Sequence, residues 1–80
     1  EVFVMGTIDK YYEYKNQNPT GILFVRMGSF YEAFGNDAVK ANKILKNGLV
    51  KRNGIFMNGF PCHKLDQIKD KIPCLKIMEG

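Results

Sequence analysis

The sequence is most informative in what it leaves out. It has no tryptophan, one histidine, three prolines and two cysteines in 80 residues. Two cysteines, Cys62 and Cys74, are too few for a disulfide scaffold. With only His63 to help, they also fall short of the four ligands of a structural zinc site. Both read as free, buried or half-buried thiols of a cytosolic or nuclear protein. No apolar run exceeds four residues, as at Ile22–Val25, far below the roughly 20 needed to span a bilayer. The start Glu1-Val2-Phe3-Val4-Met5 lacks the basic residues and long apolar core of a signal peptide. Because it opens on Glu rather than Met, the chain reads as a piece of a longer one. There is no phosphate-binding glycine loop, no nucleophile elbow and no paired-acid pattern.

What is present suits one small domain. Such a short chain buries only about 60% of its unfolded surface, so its stability margin is thin. Hydrophobic residues make up 45% and charged residues 25%, which argues against disorder. The net charge is +4, from 12 Lys and Arg against 8 Asp and Glu. Its placement matters more than its size. From Ala38 to Leu65 there is no acid, while Lys40, Lys43, Lys46, Lys51, Arg52 and Lys64 all fall there. A one-signed region attracts polyanions such as nucleic acid or an anionic membrane surface.

Periodicity predicts the order α-ββ-α-ββ-α-β. Residues 1–6 read as extended, with Thr7 capping a helix from Ile8 to about Asn16 and Asp9 in its first turn. Ile8, Tyr11, Tyr12 and Lys15 share a face. Ile22–Val25 reads as a strand buried on both faces. Gly28-Ser29 is a turn of the II′ type leading back along Phe30–Phe34. Asn36 or Asp37 caps a helix to about Lys46, with Ala38, Ala41 and Leu45 as its apolar stripe. Asn47-Gly48 stops it. Asn53-Gly54 closes a second hairpin between Leu49–Arg52 and Ile55–Phe60. A last helix, Cys62 to about Lys71, carries Leu65, Ile68 and Ile72 inward and stops at Pro73. Cys74–Met78 is a final strand. The expected fold is α/β: a mixed sheet of five to six strands flanked by three helices. Asp9, Glu13, Asp37, Asp66 and Asp70 are expected as solubilising charges on helices.

The stretch Arg26-Met27-Gly28-Ser29-Phe30-Tyr31-Glu32-Ala33-Phe34 stands out. Phe30 and Glu32 lie two residues apart in a strand and project to one face. One reading buries the aromatics in the core, with Arg26 or a lysine satisfying Glu32, because an unpaired buried carboxylate is costly. The other exposes the pair. An apolar wedge unstacks a base step at a cost of a few kcal/mol, less where the step is already mismatched. A carboxylate beside it is repelled by phosphates and regains energy only by bonding a base edge, with its pKa raised enough to donate. Lys51 and Arg52 beside the Asn53-Gly54 turn could meet phosphates. His63 reads as a capping or core-edge residue.

The same residues carry a resemblance. Arg26 to Phe34 resembles the R-M-G-D-F-Y-E-x-F signature of the MutS mismatch-repair proteins, in their N-terminal mismatch-recognition domain. Lys10-Tyr11-Tyr12-Glu13-Tyr14-Lys15 resembles the family's Q-Y-x-x-x-K helix, and Asp37-Ala38-Val39-Lys40-Ala41 its D-A-x-x-A helix. Val50-Lys51-Arg52 resembles T-K-R. Met57-Asn58-Gly59-Phe60-Pro61-Cys62-His63 resembles P-M-A-G-[IV]-P-Y-H. The likeness runs over roughly residues 7 to 78. Ser29 replaces the usual Asp, Phe56 stands where Pro is common, Cys62 replaces Tyr, and the hairpin at Asn53-Gly54 is shorter than is common.

The resemblance implies that Phe30 stacks on a mispaired or unpaired base and that Glu32 hydrogen-bonds it. Ser29, Lys51, Arg52 and Met57 are the further expected DNA contacts. It implies one mismatch-recognition domain over residues 1–80, C-terminally shortened. Duplex DNA with a mismatch or small bulge is the expected partner, alongside other mismatch-repair proteins, with no membrane. Expected location is the cytoplasm near the nucleoid in a bacterium, or the nucleus or an organelle in a eukaryote. The family works as dimeric clamps with downstream ATPase domains. No connector, lever, clamp or ATPase signature lies in these residues, so a non-enzymatic binding module without cofactor or metal is expected. The competing expectation is a protein-interaction or structural domain that keeps the fold without DNA function. An RNA-binding module is weaker, and a nuclease weakest for want of paired acids.

Overall fold

The computed structural model describes residues 2–72 and 74–79, with side chains from residue 6 onward. Helix α1 (Val2–Gln17) leads into the hairpin of β1 (Ile22–Met27) and β2 (Phe30–Phe34). Helix α2 (Asn36–Leu45) then precedes a second hairpin, β3 (Val50–Arg52) with β4 (Ile55–Pro61). A 3-10 turn over Cys62–Lys64 opens into α3 (Leu65–Lys71), and β5 (Leu75–Met78) ends the fold. The five strands form one sheet in the order β3-β4-β2-β1-β5. It is mixed, because β5 runs parallel to β1 and the other pairs are antiparallel. The expected α/β architecture and element order therefore hold.

Alternation along the strands sends residues to two faces. On one, Leu23, Val25 and Phe34 pack with Ile8 and Tyr11 of α1. On the other, Ile22, Phe24, Tyr31, Ala33 and Phe60 pack with Ala38 and Ala41 of α2 and Ile68 of α3. Ring edges meet ring faces where Tyr11 approaches Phe34 at 5.0 Å and Phe24 approaches Phe60 at 5.0 Å. Ile22–Val25 is buried on both faces, as its unbroken apolar run predicts.

Both turns are set by backbone chemistry. Gly28 takes φ 64° while Ser29 does not enter the positive region, and Met27 pairs with Phe30 across them. That combination is the expected II′ turn. Asn53 and Gly54 both take positive φ, 52° and 78°, the I′ form that matches strand twist.

Several local expectations fail. α1 begins at Val2, so residues 2–6 are helical rather than extended, and Asp9 is not in a first turn. Thr7 is buried beside Ile8, inside the helix rather than capping it. Neither Asn36 nor Asp37 caps α2; that place falls to Gly35 at φ 63° with no side-chain bond. The left-handed residue ending α2 is Lys46, whose N–H donates to Asn42 O, one position before Asn47-Gly48. The last helix is 3-10 in its first turn. Pro73 lies outside the described residues.

Asp37 gives the largest departure. It is no solubilising charge but is 3% exposed. Its Oδ2 lies 2.8 Å from Lys15 Nζ and accepts from Leu23 N at 2.9 Å. Lys15 Nζ also donates to Gly21 O at 2.7 Å. One ion pair thus ties α1, β1 and α2 together, which a local charge pattern does not reveal. Tyr11 adds a second tie: its hydroxyl donates to Leu23 O and accepts from Phe34 N. Burial pushes that phenol well above its usual range.

Candidate functional site

Helix α1 covers only part of its face of the sheet. Beyond its edge lies an open groove of about 300 Å³. Phe30 and Glu32 of β2, Met57 and Gly59 of β4, and Val50 and Arg52 of β3 line it, with the α2–β3 loop as one wall. Cross-strand register explains the grouping. Glu32 stands opposite Gly59, Val50 opposite Met57, and Arg52 opposite Ile55, so these side chains share one face.

Phe30 belongs to neither apolar cluster and is 45% exposed. It sits at the turn end of β2, whereas Phe34, four residues on and on the same face, is 1% exposed beneath α1. The core reading of Phe30 is therefore excluded, and that of Phe34 holds. Arg26 does not satisfy Glu32. It leaves the sheet on the opposite face, and its Nε donates to Gly28 O at 3.2 Å. No ion pair to Glu32 occurs among the described residues. Burial raises the Glu32 carboxyl above its usual range, and the Arg52 charge opposes that rise only partly. Half-buried and unpaired, this acid is poised to be protonated nearer to neutrality than a surface glutamate.

The expected contacts divide. Phe30, Glu32, Arg52 and Met57 come together in the groove. Ser29 lies exposed in the turn next to Phe30, and its carbonyl accepts from Cys62 N at 2.8 Å. Lys51 is not with them. It projects to the opposite face, where its Nζ lies 5.2 Å from the centre of the Phe56 ring. His63 is exposed, Cys62 half-buried and Cys74 exposed rather than buried. No cluster of potential metal ligands occurs among the described residues. No helix among them is long and apolar enough to cross a membrane.

Sequence reading missed Gly59. A Cβ built there would meet Glu32 Oε1, with Cδ at 2.5 Å and Oε2 at 2.6 Å. Glycine inside a strand signals such a close approach, so the cue was available. It missed Asn47 and Asn58 as well. Asn47 reads as part of a helix stop, and nothing in the local pattern marks Asn58.

These features define a small α/β domain that presents an exposed aromatic at a hairpin tip and an unpaired carboxyl in the adjoining groove, beside Arg52. The family model for MutS domain I matches residues 5–72. The DNA mismatch repair protein MutS of Borrelia hermsii is 48% identical over 54 residues, covering 68% of this chain and 6% of its own length. The MutS of Salinibacter ruber is 40% identical over 68 residues, covering 79% of this chain and 8% of its own. The MutS of Streptococcus equi subsp. equi is 43% identical over 68 residues, with the same coverage of 79% and 8%. The chain belongs to the MutS domain I family. It spans only 6–8% of the length of these relatives.

Proposed function

We propose that this domain binds duplex DNA at mismatches and small bulges and performs no chemistry on it. The observation that carries the proposal is the exposure of Phe30 at a hairpin tip, beside a groove holding Glu32. Phe30 would wedge into a base step, at a lower cost where pairing is already broken. Glu32 would then bond the disturbed base. Phosphates near the groove would raise its pKa further, so that the protonated form donates to a base acceptor. On intact duplex the same carboxyl finds no partner and is repelled, which gives discrimination rather than general affinity.

Arg52 would meet the backbone from the groove side. Lys40, Lys43 and Lys46 are exposed along and just beyond α2 and would add long-range attraction. Few phosphates are neutralised by one small module, so binding is expected to be weak and salt-sensitive. Membership of the MutS domain I family supports this reading, as do the names of the relatives. Residues 1–80 would act as one mismatch-recognition unit, working beside other repair proteins.

The test is binding of the chain at low salt to a duplex with a single-base bulge and to its intact counterpart. Preference for the bulge, lost in Phe30→Ala, is the expected result. Equal affinity for the two duplexes, unchanged by Phe30→Ala, would exclude the wedge.

A further inference from the structure

The strand β3 pairs with β4 only as far as Met57. Asn58 and Gly59 therefore continue along a β4 edge with no strand beside them. Carboxamides take the strand's place. Asn58 Nδ2 donates to Asn47 Oδ1 and to Gly48 O, each at 2.7 Å. Asn47 Nδ2 donates in turn to Gly59 O at 2.9 Å. Gly48 N donates to Asn42 Oδ1 at 3.0 Å, which anchors the far side of the loop on α2. Two acceptors around the Asn58 nitrogen fix which end of that carboxamide is which.

The other end of Asn58 is unusual. The residue is 2% exposed, and its Oδ1 is enclosed with no hydrogen-bond partner. A buried carbonyl left unpaired lowers stability, a cost set against the two bonds that the Asn58 nitrogen makes to the loop. Alanine, which the motif resembled by this segment has at the same place, would avoid the unpaired oxygen. Asparagine does what alanine cannot: it holds the Asn47–Gly48 loop. That loop is a wall of the groove, facing Glu32 and Gly59.

We infer that Asn58 is a positioning residue: through Asn47 and Gly48 it clamps the α2–β3 loop to the β4 edge and fixes the width of the groove beside Phe30 and Glu32. The inference rests on the proposed recognition of distorted DNA. With the clamp closed, the groove admits only a base step that has already lost its regular geometry. With it open, the loop swings away and the distorted step loses its close fit, so preference for it weakens, while intact duplex, attracted by charges outside the groove, binds as before.

Asn58→Ala and Asn47→Ala test this from the two ends of the link. Asn47 is exposed, so its variant folds even if the buried substitution perturbs packing. Both variants are expected to keep the parent's affinity for intact duplex. Their preference for a single-base bulge should fall about fivefold, the size of one hydrogen bond. The amide of Gly48 should exchange faster with solvent in both. A parent-like bulge preference in both variants would overturn the assignment. If the parent itself shows no bulge preference, the proposed function fails, and amide exchange alone then decides on Asn58. Unchanged protection at Gly48 in Asn58→Ala overturns the clamp; faster exchange supports it.

Discussion

The carboxyl group of Glu32 lies directly over the Cα of Gly59. A side chain of any size at position 59 would occupy the space the carboxyl holds, because a Cβ would come within 2.6 Å of Oε2 and closer still to the rest of the group. Gly59 does not take positive φ, so its role is space rather than backbone freedom. Gly59→Ala is expected to push Glu32 out of the groove at a small cost, within about 1 kcal/mol, because the atoms displaced are the end of a flexible side chain beside open space. Glu32→Ala in the same chain should remove most of that cost, because the two residues occupy one volume. Thermal unfolding of the parent, both single variants and the double variant gives the coupling directly. Additive losses would show that the clash is relieved elsewhere.

Glu32 also makes a pH prediction. Its carboxyl is raised from 4.5 by burial, with Arg52 opposing. Between that ordinary value and the raised one, the folded state therefore holds a proton more firmly than the unfolded state does. Stability should fall as pH climbs from about 4.5 through the raised value, the opposite of a paired carboxylate. Glu32→Gln should flatten that segment of the profile and make the protein more stable at neutral pH. Chemical denaturation across pH 4 to 8 is the measurement, and a Glu32→Gln profile parallel to the parent's would rule the effect out. Bulge binding should strengthen over the same fall in pH if the protonated acid is the donor.

The Lys15–Asp37 pair makes a prediction about the fold. Asp37→Ala leaves a partly buried ammonium and an unpaired Leu23 N–H. A loss of about 3–5 kcal/mol is expected, as for removal of one partner of a buried ion pair. In so small a domain that is a large share of the total stability. Urea unfolding of Asp37→Ala against Asp9→Ala separates the buried acid from an exposed one on a helix. Asp9→Ala should change stability by no more than about 0.5 kcal/mol.

These residues also mark how far the sequence could be read. The hairpins were legible because Gly28-Ser29 and Asn53-Gly54 are local chemistry, needing positive φ at known positions. The Phe30–Glu32 pair was legible because strand alternation fixes faces two residues apart. The start of α1 was not, because Val2, Phe3 and Val4 are residue types enriched in strands, so local propensity points away from the helix they join. Asp37 was misread for a different reason. Its partners Lys15 and Leu23 are 22 and 14 residues away, and nothing within one helical turn points to them. Lys51 and Arg52 looked equivalent as neighbouring cations, yet alternation on a short strand sends them to opposite faces. The Asn47–Asn58 link depends on where β3 stops, which no propensity sets.

The sharpest prediction compares two phenylalanines on one strand face. Phe34 is 1% exposed and packs edge-on to Tyr11, while Phe30 is 45% exposed at the turn. Phe34→Ala removes a core ring and is expected to cost about 3–5 kcal/mol. Phe30→Ala removes a ring that belongs to neither core cluster, and its cost should stay within about 1 kcal/mol. Binding should order the two the other way: Phe30→Ala folds normally but loses bulge preference, and Phe34→Ala retains the preference under conditions where it remains folded. Circular dichroism melts paired with DNA titrations of both variants make the comparison. A Phe30→Ala protein as destabilised as Phe34→Ala would mean that the hairpin tip is packed, and the wedge would have to be abandoned.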